Sequence, residues 1–136
     1  MSQGEKILNL LAIFHYIVGA MTALFACLPM IHVAFGVAMV IGKLDGKDAP
    51  PPFIGWIFII FGAVFITAGW ILATFVIIAG RKLRRQKNRT FCLVVAGIEC
   101  MMIPFGTVLG VFTIVVLMQD SVKQFFEPAK PENQMA

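Results

Sequence analysis

Charge is what this sequence has least of. Only 13% of its 136 residues are Asp, Glu, Lys or Arg, against roughly 25% in soluble globular domains, and 60% are hydrophobic. No polar stretch is long enough to enclose a second core, which excludes catalysis on a domain outside the membrane. What remains is an all-α integral membrane protein of one domain, residues 1–136. Paired cysteines are missing too: Cys27, Cys92 and Cys100 lie in apolar segments without CxxC spacing, so they read as small buried hydrophobes. There is no HExxH, no nucleophile elbow, no glycine-rich phosphate loop and no second intramembrane acid, so no enzyme is expected and no cofactor. The two histidines, His15 and His32, are 17 residues apart across a proline, with no haem-attachment spacing, and are weak haem candidates only. The first apolar run lacks a small-residue cleavage signature and is too long for a signal peptide, so it is expected in the mature chain. Leu24-Phe25-Ala26-Cys27 departs from a lipoprotein box at Phe25.

What the chain has is long apolar runs. Ile7 to Gly42 carries no charge; as one helix it would be about 54 Å long, too much for a single ~30 Å crossing. Pro29 removes a backbone donor and biases Leu28 away from helix, so the expectation is a crossing over 7–28 and a short second helix over 30–42. That piece either folds back as a second crossing or lies half-length at the interface. KLDGKDAPPP is polar and proline-rich, a stiff extended connector. Further helices are expected over 53–80 and 91–118, making a small bundle of three to four. Trp56 suits the interfacial belt. The sequence QDSVKQFF reads as a short interfacial helix with Phe125 and Phe126 at the lipid boundary, and 127–136 as a disordered tail.

The charges that do occur are concentrated. Arg81, Lys82, Arg84, Arg85, Lys87 and Arg89 make six of the eleven basic residues and fall in one stretch, RKLRRQKNR. Beside apolar helices, that cluster is a cytoplasmic topology signal touching anionic headgroups, not a nucleic-acid site.

Small residues line two faces. Gly55, Gly62 and Gly69 recur every seven residues, with Ala73 and Gly80 near the same line, a stripe that lets membrane helices approach closely. In the last run, Cys92, Ala96, Glu99, Gly106, Gly110 and Thr113 share one face of a continuous helix, while Val94, Ile98, Val108, Phe112 and Val116 take the other. Pro104 is expected to kink that helix. Glu99 stands eight residues into this otherwise uncharged run, about 12 Å deep at ~1.5 Å per residue. A carboxyl group there must face protein or water. His15 shares a face with Gly19, Thr22 and Ala26 and stands at similar depth in its own helix, so a His15–Glu99 pair is expected. Its role is open between a clamp that fixes helix register and a proton or ion site.

The segments IFHYIVGA and GIECMMIPFGTVLGVFTIVVL, with the proline-rich loop between them, resemble those of small uncharacterised bacterial multi-pass membrane proteins. The resemblance spans most of residues 6–126 and implies a bacterial inner-membrane location without an assigned activity. On these residues, the expected function is association: an accessory or structural subunit of a larger membrane complex, or a homo-oligomer, bracing its partner through the Gly55/Gly62/Gly69 stripe. The alternative is an oligomeric channel or proton-coupled transporter using Glu99, and the third reading a haem-binding redox subunit. Expected partners are the lipid bilayer and other membrane subunits or a second copy.

Overall fold

The computed structural model describes residues 2–44 and 46–127. Among them there is no strand, and six helices follow in order: α1 (Gln3–Phe25), α2 (Met30–Val40), α3 (Pro52–Arg84), α4 (Arg89–Glu99), α5 (Phe105–Met118) and α6 (Asp120–Phe126). Two helical runs, Gln3–Val40 and Pro52–Arg84, are long and apolar enough to cross a membrane, and α5 with α6 forms a third candidate bent by 82°. The disordered-tail expectation lies outside the described residues beyond Glu127. The chain divides into two compact units, one from residues up to Gly19 and from Phe75 onward, the other Ala20–Thr74.

In the second unit the end of α1 leads into α2 through a tight turn. Pro29 lacks an N–H, yet keeps helical dihedrals (φ −64°, ψ −6°), and the neighbouring amides bond three residues back: Leu28 to Phe25 at 3.0 Å, Met30 to Cys27 at 3.0 Å and Ile31 to Leu28 at 3.1 Å. The turn therefore tightens without reversing the chain, and the fold-back form of the second helix is not adopted. Instead, α2 runs antiparallel to the first half of α3. A Cβ built at Gly69 would lie 2.6 Å from that of Ala26, one at Gly62 3.1 Å from the carbonyl oxygen of Pro29, and one at Gly55 2.7 Å from that of Gly36. The glycine stripe is thus filled by the chain's own turn and α2. At these three glycines the stripe packs within the chain.

The first unit holds most of the buried side chains. Leu8, Leu11 and Ala12 of α1, Leu83 of α3, Cys92 of α4, Leu109, Val116 and Leu117 of α5 and Val122 of α6 form one core. Basic residues do not end α3 at Gly80 as expected; the helix runs on to Arg84, because Arg81, Lys82 and Arg84 are good helix formers and complement the negative end of the helix dipole. The reversal into α4 uses left-handed residues, Gln86 (φ 54°) and Asn88 (φ 53°).

The largest difference from the sequence expectation lies in residues 91–118, which form two helices rather than one. Residues 100–104 break the helix ahead of Pro104, whose ring cannot accept a helical predecessor and which has no N–H to give. The chain then folds back on itself. Gly106 abuts the carbonyl oxygen of Glu99, Gly110 abuts that of Ala96, and the Arg89 side chain donates from Nε to the Leu117 carbonyl at 2.8 Å, closing the open end. The face read on one continuous helix is the seam between two antiparallel ones. At 11 and 14 residues, about 16 and 21 Å long, neither α4 nor α5 alone reaches across ~30 Å of hydrocarbon. In α6, Val122 is buried and Phe125 packs on Gly4 near the start of α1, so Phe125 lies against protein rather than at a lipid boundary.

Candidate functional site

Two buried polar side chains, His15 and Glu99, meet where the α4–α5 hairpin turns. Glu99 is the last residue of α4, so its side chain is fixed where the helix stops, and His15 comes from the middle of α1. Both are fully buried, and His15 Nε2 lies 3.4 Å from Glu99 Oε2. Small residues make room for them. A Cβ at Gly80 would lie 3.0 Å from the His15 Cβ and 3.2 Å from the Ala12 carbonyl oxygen, so α3 approaches α1 at the level of the imidazole. On the other side, Gly106 brings the backbone of α5 against that of Glu99.

The hydrogen bonds assign the proton on the ring. His15 Nδ1 stands 2.9 Å from the Leu11 carbonyl oxygen, which can only accept, so Nδ1 carries a proton and Nε2 is the atom left for Glu99. If the imidazole is neutral, Nε2 is an acceptor and only a protonated carboxyl can bond to it. If the imidazole is charged, Nε2 donates to a carboxylate. In either bonded state one proton would serve both groups and leave the pair neutral as a whole. At 3.4 Å this is ion-pair distance without hydrogen-bond geometry: Nε2, Oε1 and Oε2 all lack a hydrogen-bond partner among the described residues. Oε1 has none even when the pair is counted. Burying such atoms unpaired costs on the order of 1–3 kcal/mol each, so the arrangement is poorly matched to a purely structural clamp.

The neighbouring hydroxyls are already engaged. Thr113 donates to the Leu109 carbonyl at 2.7 Å, and Thr107 to that of Cys100 at 2.8 Å, capping a carbonyl at the helix break. The other residues singled out in the sequence are elsewhere. Gly55, Gly62 and Gly69 belong to the second unit, as does His32, an exposed residue whose ring stacks on Phe58 at 6.1 Å. His15 and His32 therefore lie in different units, and no group of three His, Cys, Asp or Glu that could hold a metal ion occurs among the described residues. The basic residues divide by role. Arg89 holds the base of the hairpin, Lys82 sits 4.4 Å above the Phe91 ring, Arg81, Arg84 and Arg85 line an open groove beside Tyr16, and Lys87 is exposed. Two contributors were invisible as parts of a site: the Leu11 carbonyl, which has no residue-type signal, and Gly80, noted only as the end of a stripe. No family profile, curated protein sequence or solved structure matches this chain.

Proposed function

We propose that this is a membrane-embedded protein in which the two long apolar helical runs cross the bilayer, the α4–α5 hairpin enters and leaves on one face, and His15 with Glu99 exchanges a proton within the membrane. The function is that of an oligomeric channel or proton-coupled transporter. The observation that carries this reading is a fully buried acid–imidazole pair with an unpartnered carboxyl oxygen at the turn of a broken helix. Intramembrane acids of this kind mark ion and proton pathways, and non-helical backbone at membrane depth belongs where protein or a water-lined cavity covers it. Proton transfer from Glu99 Oε2 to His15 Nε2 creates two opposite charges together; the reverse cancels both. Transfer within the pair leaves its net charge unchanged, so a proton can move between the two groups without burying a net charge.

Gly4 meets Phe125, and Leu8 and Leu83 share a core with Val122; the basic residues that follow Leu83 favour the cytoplasmic side for this end in a bacterial inner membrane. The test is flux of protons into liposomes carrying the purified chain. Glu99→Gln should abolish pH-dependent flux while the oligomer, judged by native mass spectrometry, stays intact; wild-type flux from that variant would refute the proposal.

A second reading retains the accessory subunit. It is favoured by the row of exposed large apolar residues in the second unit, among them Leu24, Ile31, Phe53, Ile60 and Phe61, which offers a partner an apolar wall. A single heteromeric mass on extraction in mild detergent would select it.

A further inference from the structure

The groove beside Tyr16 is lined by three guanidinium groups, Arg81, Arg84 and Arg85, and nothing acidic. At ~100° per residue these three positions fall within an arc of about 100° on α3, and the Arg85 amide still bonds the Arg81 carbonyl at 3.0 Å, so the helical register holds through all of them. None of the three forms a salt bridge among the described residues, whereas Lys82 is taken by the Phe91 ring and Arg89 by the Leu117 carbonyl. An acid, Glu5, lines the neighbouring groove that shares Arg84. Its Oε2 accepts from the Ser2 amide at 2.9 Å and makes no ion pair with Arg84. Three like charges held together without a counter-ion repel one another and need an anion.

What kind of anion is decided by the surroundings. Tyr16 reaches the groove from α1, next to Gly80, and adds a phenol, a hydrogen-bond donor, to the arginines. Ile13 and Ile17 lie roughly 60–100° around α1 from Tyr16, on the side away from Ala12, and are 53% and 51% exposed. An arginine cluster capped by a tyrosine and continued by bare isoleucines fits a ligand with a charged head and an apolar tail. A free phosphate has no use for the isoleucines.

We propose that this groove is a binding site for the phosphodiester headgroup of an anionic phospholipid, with Arg81, Arg84 and Arg85 around the phosphate, Tyr16 donating to one of its oxygens, and an acyl chain along Ile13 and Ile17. The site is separate from the His15–Glu99 pair and does not rest on that pair's role. Planar guanidinium groups bind phosphate oxygens two at a time, which distinguishes a built site from a diffuse basic surface.

The experiment is native mass spectrometry of the full chain in detergent, titrated in parallel with phosphatidylglycerol and with phosphatidylcholine of the same acyl chains. Phosphatidylglycerol should bind at least about tenfold more tightly. Arg81→Gln with Arg85→Gln should remove that preference, while Lys87→Gln with Lys123→Gln, an equal loss of charge outside the groove, should keep it. If both double variants lose it equally, the attraction is diffuse and the site does not exist. If inorganic phosphate at millimolar concentration displaces the lipid, the groove is a free-anion site and the lipid assignment fails. Should the arginine pair prevent folding, Tyr16→Phe and Arg81→Lys give the decision: a several-fold loss of preference in either sustains the proposal, and no change in both overturns it.

Discussion

At the scale of single residues, the proposed exchange of one proton between two buried groups separates two substitutions that a simple deletion argument would rank together. Glu99→Gln replaces a carboxyl by an amide that can donate to a neutral His15 Nε2. Folding stability should therefore stay within about 1 kcal/mol of wild type in a detergent unfolding titration, although the residue no longer exchanges a proton. His15→Ala leaves the acid buried without its partner and should cost roughly 3–5 kcal/mol by the same measurement. Equal losses in the two variants would mean that no proton is shared. Gly97 offers the opposite case. It lies inside α4 with nothing within 4 Å of a built Cβ, so Gly97→Ala should stabilise by about 0.5–1 kcal/mol through the lower entropy of the unfolded chain.

At the scale of elements, glycines decide which helices touch. Gly106 and Gly110 put α5 in backbone contact with α4, and a side chain at Gly106 would meet both the Glu99 carbonyl and Met102 Cβ, the latter at 2.6 Å. Gly106→Val should open the hairpin and expose Glu99, seen as a loss of more than about 2 kcal/mol and as new reactivity of Cys100 towards a small maleimide. Gly62→Leu has a different signature. Its Cβ would meet Val33 and the Pro29 carbonyl, so the damage falls on the packing of α2 against α3 within one chain. It should lower the unfolding midpoint of the monomer itself; dissociation of a complex with an unchanged midpoint would restore the stripe as an intermolecular interface. The broken last run is where helical-wheel reasoning fails. Projecting residues 91–118 on one cylinder put Ala96, Glu99, Gly106 and Gly110 on a common face. They do meet, but across a fold at Pro104 rather than along one axis.

At the scale of the whole molecule, that fold determines sidedness. A continuous helix over 91–118 would carry residue 87 and residue 124 to opposite faces of a membrane, whereas the hairpin, closed by Arg89 on the Leu117 carbonyl, brings its two ends together and, in the membrane reading proposed above, returns the chain to the face it left. In a variant with its three native cysteines replaced, Lys87→Cys and Gln124→Cys should both react with an impermeant thiol reagent from the same side of oriented vesicles. Labelling from opposite sides would rule out the hairpin. Ile103→Cys, at the apolar turn where Met101 and Ile103 are each 84% exposed, should react from neither side, since that exposure is to lipid in this reading.

The sequence by itself determined composition, the all-helical class and most of the parts. Charge is too sparse for a water-facing surface, apolar runs exceed a bilayer's span, and a lone acid in such a run demands a partner, so helices, Glu99 and its match with His15 were all legible from hydropathy and spacing. The buried faces were legible as well, because Gly19 and Thr22 of α1, with Ala26 just past its end, and Cys92, Ala96 and Thr113 follow helical periodicity. What only the tertiary structure decided is what each proline does and what each glycine faces. Pro29 and Pro104 remove the same donor, yet the first is absorbed in a tight turn that keeps its direction and the second reverses the chain. The outcome depends on long-range contacts: after Pro29 the glycines of α3 receive α2, while after Pro104 Gly106 and Gly110 let α5 close on α4. A proline fixes where a helix is weak, and the packing available on either side fixes which way the chain then goes.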